Sequence, residues 1–168
     1  GKRIVTLAYG THAWPPKDVK LDPSVAVQFC FASDGAPWAR SEYDHELALL
    51  NRWGAEAAET GRPLYAWCYY GHMYRAFADN GNFHCFPGFF AHAIGREMKL
   101  YRKLGGRGMF HCGLPPEIDS YVMFRLMDDA GLDVDRLLDE YCSGMFGAAA
   151  VPMKKLYLGI ERTYCDPA

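Results

Sequence analysis

Aromatic and imidazole side chains gather where short apolar runs of this sequence end. Residues 64–72, LYAWCYYGH, hold the densest group, and related residues stand near the ends of the other runs. Aromatic faces stack on sugar rings, while phenol and imidazole groups exchange hydrogen bonds with sugar hydroxyls. The sequence therefore predicts a carbohydrate-binding cleft. Its predicted side chains are Tyr9, His12, Trp67, Tyr69, His72 and His111.

Each of these residues also has a structural interpretation. Trp67 lies inside its run, where packing in a core competes with contact to a ligand. Tyr69 and Tyr70 point to opposite sides of a strand, so at most one of them faces a site. His111 lies within an apolar run, which is typical of a hydrogen-bonded core histidine. For His72, an exposed position in a loop is the alternative.

Two acidic residues near the ends of the runs are weak candidates for catalysis. Hydrolysis of a glycoside normally uses a pair of carboxyl groups. Asp34 lies in FASDGAPW, a turn-prone segment in which an aspartate commonly stabilises the turn itself. Glu117 follows two prolines and suits the first turn of a helix, where the helix dipole favours a negative charge.

The cysteines and histidines match no metal or cofactor motif. Six cysteines are spread along the chain without a CxxC pair, which favours reduced, structural thiols over disulfides or a metal site. Glycine-rich nucleotide motifs and GxSxG do not occur, so no cofactor is predicted. The alternative is a Zn²⁺ site, which the spacing does not require, formed by His72, His84, Cys85, His111 and Cys112.

The apolar runs themselves predict four β-strands that would position these side chains. Each run is almost continuously apolar, as in parallel strands that are covered on both faces. Right-handed crossovers bring the carboxyl ends of such strands to one edge of the sheet, where ligands bind. The predicted strands are residues 4–9, 25–31, 64–70 and 108–112.

Helical patterns separate the later strands and fill the rest of the chain. The connection between the first two strands, THAWPPKDVKLDP, is too short and proline-rich for a full helix. Amphipathic periodicity predicts helices at residues 41–60, 89–104, 117–130, 134–143 and 151–164. We therefore expect an α/β part over residues 1–114, with a helical C-terminal segment over residues 115–168 packed on it.

Two architectures fit this order of elements. One is a small open α/β sheet, and the other is half of a (β/α)8 barrel, which needs about 250 residues when complete. The chain has 168 residues and enters the apolar run IVTLAY directly after its first three residues, which predicts a segment of a longer protein. No compartment is predicted.

Composition argues against two classes of partner. The formal net charge is −2, and basic residues are interspersed with acidic ones rather than forming a block, so no nucleic-acid partner is predicted. No apolar run approaches the roughly 20 residues that span a bilayer, so no membrane partner is predicted. Half of the residues are apolar, which is enough for a packed core.

Several segments resemble, in the same order, a bacterial family known as domain of unknown function 4838. The run AGLDVDRLLDEYCSGMFGAAAVPMKKLYLGIE is similar to the family's helical pattern of spaced acidic and aromatic residues followed by G-x-A-A. PLYAWCYY and RGMFHCG look like two of its strands. The opening RIVTLAYGTHAWPPKDVKLDPSVAVQFC resembles its segment of a strand, PP-K and a second strand.

The resemblance implies the C-terminal half of a carbohydrate-active (β/α)8 barrel of the TIM type, related to β-hexosaminidases and α-glucuronidases. It implies part of a glycoside hydrolase that binds carbohydrate here and keeps its catalytic carboxylates outside this chain. The expected partner is the N-terminal half of the barrel, or a second copy that covers the exposed sheet edge. The chain departs from the family where Cys68 replaces the Asp of a W-D-Y strand and where His111-Cys112-Gly113 replaces a Glu-Gln-Gly-like end. The alternative is a non-catalytic carbohydrate-binding or structural α/β module.

Overall fold

Four parallel strands form a single sheet. A computed structural model of the chain describes residues 2–31, 40–70, 89–112 and 116–165. The strands are adjacent in the order of the sequence, and each neighbouring pair is parallel. They are β1 (Ile4–Ala8), β2 (Val25–Phe31), β3 (Leu64–Cys68) and β4 (Gly106–His111). The predicted α/β class is confirmed, and the arrangement is consistent with half of a (β/α)8 barrel.

Helices connect the later strands and then complete the chain. A 3-10 turn, Gly10–His12, follows β1. A further 3-10 turn, Gly147–Ala149, precedes the last helix. The helices are α1 (Arg40–Thr60), α2 (Ala91–Lys103), α3 (Glu117–Asp128), α4 (Val134–Phe146) and α5 (Ala150–Cys165). Among the described residues, no helix is both long and apolar enough to cross a membrane.

One face of the sheet, the covered face, packs against α1 and α2. Alternate residues of β2 and β3 are buried there, including Phe29 and Ala66. Leu50 of α1 and Ile94 of α2 belong to the same apolar core. Because successive side chains of a strand point to opposite faces, the intervening residues lie on the other side of the sheet.

That other side, the open face, is the less buried one. The exposed fractions are 54% for Val5, 45% for Leu7 and 47% for Phe110. The sequence predicts strands that are covered on both faces, but the described part of the chain covers only one. The strand residues of the open face include Val5, Leu7, Ala26, Gln28, Cys30, Tyr65, Trp67 and Phe110, and Tyr9, Tyr69 and Cys112 continue this face directly after the strands.

Both outer strands have free edges in the described part of the chain. Strand β1 pairs with β2 and with no other described strand, and β4 pairs with β3 alone. The free edge that the barrel interpretation predicts at residues 4–9 is therefore present. Ile4 is 69% exposed, so β1 contributes little to the core until Ala8.

At the amino end of the sheet, a buried arginine joins three segments. Arg62 lies two residues before the start of β3, and its side chain is almost fully buried. Its Nε donates to both carboxylate oxygens of Glu56 in α1, at 3.1 and 3.0 Å. Its two terminal nitrogens donate to the backbone carbonyl oxygens of Leu21, Asp22 and Val25. The guanidinium thus fixes the start of β2 against α1 and β3.

Candidate functional site

A row of polar and aromatic groups crosses the sheet at its carboxyl end. Each of the four strands has one member of this row on the open face, either near its end or directly after it: Tyr9, Cys30, Tyr69 and Cys112, which together form the carboxyl-end row. The Cys112 amide donates to the Cys68 carbonyl at 2.8 Å and so continues the ladder of β4 with β3. Tyr69 lies within electrostatic reach of the other three members. The parallel sheet therefore brings together groups that are far apart in sequence.

Tyr69 is the centre of this row. Its hydroxyl is hydrogen-bonded to the Cys30 thiol. Burial raises the pKa of Tyr69 above its usual value, and the neighbouring Cys30 raises it further. Burial also raises the pKa of Cys30. Both groups are consequently neutral at physiological pH, so they serve as hydrogen-bonding groups rather than as a base or a thiolate nucleophile.

Aromatic rings extend the open face below the row. The ring of Trp67 lies 4.3 Å from that of Phe110 and 6.5 Å from that of Tyr69, measured between centroids. Trp67 is half-buried, and its Nε1 has no hydrogen-bond partner among the described residues. Because Phe110 remains exposed, the three rings form an aromatic surface that a flat ligand can contact.

The β1–β2 connection adds exposed rings at the rim. His12 ends the 3-10 turn and is exposed, and its amide donates to the Tyr9 carbonyl at 3.0 Å. Trp14 is also exposed and meets His45 of α1 edge to face at 5.6 Å. The indole of Trp53 donates to the carbonyl of Ala13 at 2.7 Å, which anchors this connection to α1.

His111 lies on the covered face, away from the carboxyl-end row. It pairs with Cys68 across the strands and stacks on Tyr70, with 5.5 Å between ring centroids and an interplanar angle of 11°. The Tyr70 hydroxyl in turn donates to the buried Glu97 carboxylate of α2. The structure thus brings together Tyr9, Trp67 and Tyr69 on the open face but separates His111 from them.

The remaining sequence candidates have different outcomes. Asp34 and His72 lie outside the described residues. Glu117 is exposed in the first turn of α3. The buried carboxyl group of that turn is instead Asp119, which accepts a hydrogen bond from the Phe90 amide at 3.2 Å. Burial raises the pKa of Asp119 to about 8.

Sequence reasoning missed Asp119, although a signal was present. Asp119 shares the three- and four-residue spacing of Val122, Met123 and Leu126, which are buried apolar residues of α3. An acid at such a position must have partners in the fold or hold its proton. Glu97 of α2 occupies the same kind of position.

The described residues do not form a metal site. Among them, no group of three or more histidine, cysteine, aspartate or glutamate side chains is placed to hold an ion. Among the described residues, Cys30, Cys68, Cys112 and Cys142 form no disulfide bond, and the reduced, structural interpretation of the cysteines stays a prediction. Two of the residues named for the Zn²⁺ alternative, His84 and Cys85, lie outside the described ranges.

One comparison with known proteins gives a result. The sequence model of a family described as a domain of unknown function (DUF4838) matches residues 1–159. Neither a curated protein nor a solved structure matches the chain significantly.

Proposed function

Because the chain belongs to the family of domain of unknown function DUF4838, we propose that it forms the C-terminal half of a carbohydrate-binding (β/α)8 barrel. In this proposal the barrel belongs to a glycoside hydrolase-like protein. The sugar binds at the carboxyl ends of the four strands, against the end of the open face that carries Tyr9 and Tyr69. This is the edge at which ligands meet the strands of such barrels.

The carboxyl-end row is the observation that carries the proposal. Neutral phenol groups donate and accept hydrogen bonds, which suits sugar hydroxyls, and Tyr9 is 62% exposed at the end of β1. The rings of Trp67 and Phe110 supply apolar contact beside the row. A pocket that combines an apolar lining with a few polar groups is typical of small-ligand sites.

The row supports binding rather than acid–base chemistry. Its members are two phenols and two thiols, without a carboxylate, whereas glycoside hydrolysis normally needs two carboxyl groups. We therefore assign the catalytic carboxylates to protein outside this chain. In that arrangement Tyr9, His12 and Tyr69 hold the sugar while the other half of the barrel supplies the reacting groups.

The open face and the free edges support an N-terminal half-barrel as the partner. Val5, Leu7 and Phe110 expose apolar surface on one face. Unpaired strand edges of this kind favour the addition of further strands. Strands added next to β1 and β4 would cover both edges and close the open face into a barrel interior. A second copy of the chain is the other way to cover the β1 edge.

Sedimentation of the chain tests the partner. We expect self-association that a β1 variant with charge on the open face, Leu7→Lys, reduces. Leu156→Lys on the exposed side of α5 is the matched control and should leave association unchanged. A monomeric wild-type chain with a sharp, cooperative thermal melt would count against a half-barrel that needs a partner.

Sugar titration tests the binding site. Uronic acids and N-acetylated hexosamines are titrated into the chain while tryptophan fluorescence is recorded. Tyr69→Phe should weaken a saturable response by about three- to tenfold through loss of one hydrogen bond. Tyr65→Phe, on the same face of β3 but nearer the amino end, should leave it unchanged. The proposal fails if no sugar gives a saturable response at its highest soluble concentration.

One observation favours the alternative of a structural α/β module. The Tyr69 hydroxyl already bonds the Cys30 thiol, and His111 stacks within the covered face. If the strand ends serve packing alone, Tyr69→Phe will lower stability and leave any sugar response intact. The same variant therefore separates the two functions.

A further inference from the structure

The last helix, α5, contacts the rest of the molecule through a buried carboxylate as well as through apolar side chains. Among its described side chains the most buried is Glu161, which is 6% exposed. By contrast, Val151 is 80% exposed, and Leu156 also faces solvent. Helices normally dock through an apolar stripe. Tyr157, Leu158 and Ile160 of α5 pack on the apolar core in this way, and the Glu161 carboxylate adds a buried polar contact to that apolar docking.

Glu161 binds the first turn of α2. One carboxylate oxygen accepts from the His92 amide at 2.7 Å, and the other lies 2.6 Å from His92 Nδ1. The amide of Phe90, at the start of the same helix, donates to Asp119 of α3. The residue at the N-cap position, Phe90, makes no side-chain cap of its own. The free amides of this turn are thus capped by carboxyl groups from two other helices.

The surrounding charges form a chain across four helices. His92 Nε2 lies 3.7 Å from the Asp135 carboxylate of α4. Lys154 of α5 bridges Asp135 at 3.2 Å and Asp139 at 2.8 Å. Glu161 lies within electrostatic reach of Asp119, and Tyr157 lies within reach of Asp119 and Glu117. Among the described residues, the titratable groups around His92 and Asp119 are therefore Glu117 from α3, Asp135 and Asp139 from α4, and Lys154, Tyr157 and Glu161 from α5.

We propose that His92, Asp119 and Glu161 form a proton-dependent clamp that holds α5 and α3 on the first turn of α2. The clamp is closed when His92 and Asp119 both carry their protons. His92 then presents a positive charge to Glu161 and Asp135, and a neutral Asp119 does not repel the neighbouring Glu161. Loss of these protons weakens the attachment of α5, so the device opens toward alkaline pH.

The direction follows from the pKa of each group. The hydrogen bond to Glu161 raises the pKa of His92 above its usual value of 6.5. Its stabilisation is complete below 6.5 and is lost as the pH rises through the raised value. Burial raises the pKa of Asp119 from 3.8 to about 8, so its protonated form favours the fold below 3.8 and this advantage disappears by about pH 8. Deprotonation of either His92 or Asp119 therefore lowers stability as the pH rises.

Amide hydrogen exchange at the two ends of the chain tests the clamp. Protection factors, corrected for the intrinsic effect of pH, are compared for amides of α5 and of β2 between about pH 5.5 and 8.5. We expect the protection of α5 to fall by about tenfold or more, as one pKa unit corresponds to a factor of ten. Protection in β2 should fall less, because β2 lies in the sheet core.

Two variants and a control assign the effect to named groups. Asp119→Asn keeps an acceptor for the Phe90 amide but does not titrate, so it should remove most of the fall. His92→Gln keeps a donor near Glu161 and should flatten the remaining part above about pH 6.5. Asp128→Asn, an exposed position on α3, should behave like the wild type.

Three outcomes would overturn the clamp. One is protection of α5 that does not change with pH. Another is a fall in α5 that β2 matches at every pH, since this would show global rather than local opening. The third is α5 protection in the folded Asp119→Asn and His92→Gln variants that changes with pH as it does in the wild type. If Asp119→Asn does not fold, the profile of His92→Gln decides the question alone.

Discussion

At the amino end of the sheet, the buried Arg62 guanidinium donates to Glu56 and to three backbone carbonyls. The polar groups at the carboxyl end are less completely paired with hydrogen-bond partners in the described part of the chain. There, Tyr9 is exposed, Trp67 has an indole nitrogen without a described partner, and Asp119 has a strongly raised pKa. The two ends belong to the same four strands. The difference between them therefore lies in the loops and in the first turns of the helices.

We interpret this difference as a separation of two roles, stability at the amino end and ligand binding at the carboxyl end. In (β/α)-type sheets the amino side stabilises the fold, and the carboxyl side carries the ligand site. Raised pKa values and incompletely satisfied polar groups concentrate at functional sites. Both ends are assembled by the fold. Arg62 reaches Glu56, 6 residues away, and also carbonyl groups that are 37, 40 and 41 residues away. His92 and Glu161 are 69 residues apart.

The largest expected effect comes from breaking the amino end. Arg62→Met should lower the free energy of unfolding by about 3 kcal/mol, because it leaves the Glu56 carboxylate and three carbonyl groups without their charged donor. Urea unfolding followed by circular dichroism measures this. The slope of the transition should stay the same, which shows that only stability has changed.

A neighbouring arginine serves as the control for this prediction. Arg52→Met lies on the exposed side of α1 and should change stability by no more than about 0.5 kcal/mol. Equal losses of stability in Arg62→Met and Arg52→Met would contradict the view that the contacts of Arg62 stabilise the amino end of the sheet.

The elements of the fold were largely predictable because local signals determine them. The predicted strand 25–31 coincides with β2, and each predicted helix corresponds to an observed one. The errors lie at the ends of elements. Strand β4 begins at Gly106 rather than Gly108, since pairing of Gly106 with Leu64 draws Gly106 and Arg107 into the sheet. Helix α4 continues past Gly144 and ends at Phe146, and the φ of +51° at the following Gly147 suits the turn that stops it.

The candidate site was predictable only where strand geometry determined it. The alternation of side chains predicts that Tyr69 and Tyr70 face opposite ways, and the structure places Tyr69 on the open face and Tyr70 in the core. That His111 would stack on Tyr70 depended on the register of β4 with β3, which no local pattern encodes. The pairing of His92 with Glu161 likewise depends on how distant helices pack.

An intermediate effect is expected from the aromatic surface of the open face. Trp67→Ala should lower the free energy of unfolding by about 2 kcal/mol, less than the 3–5 kcal/mol typical of a fully buried tryptophan, because the ring is only half-buried. Urea unfolding again gives the value. A loss as large as that of Arg62→Met would show that the open face is core and not a surface for a ligand.

A double-mutant cycle with Phe110 sharpens this result. The two rings are 4.3 Å apart, so Trp67→Ala and Phe110→Ala should be coupled by about 0.5–1.5 kcal/mol. Trp67→Ala paired with Phe124→Ala, an exposed residue of α3, should give additive effects. Coupling with Phe124 but not with Phe110 would contradict the packing described for the open face.

The smallest effect on stability, and the one that most clearly separates the two ends, is expected at His12. His12 is exposed beside Tyr9, so His12→Ala should change the free energy of unfolding by no more than about 0.5 kcal/mol. If its imidazole bonds a sugar hydroxyl, the variant should weaken sugar binding by about fivefold, the value of one hydrogen bond.

Lys20→Ala is the matched control, because Lys20 is exposed in the same β1–β2 connection but precedes Leu21, whose carbonyl binds Arg62 at the amino end. Fluorescence titration of both variants should show a loss for His12→Ala alone. Equal sugar affinities of His12→Ala and Lys20→Ala would mean that an exposed residue at the carboxyl end matters no more for binding than one at the amino end. The assignment of binding to the strand ends would then be wrong.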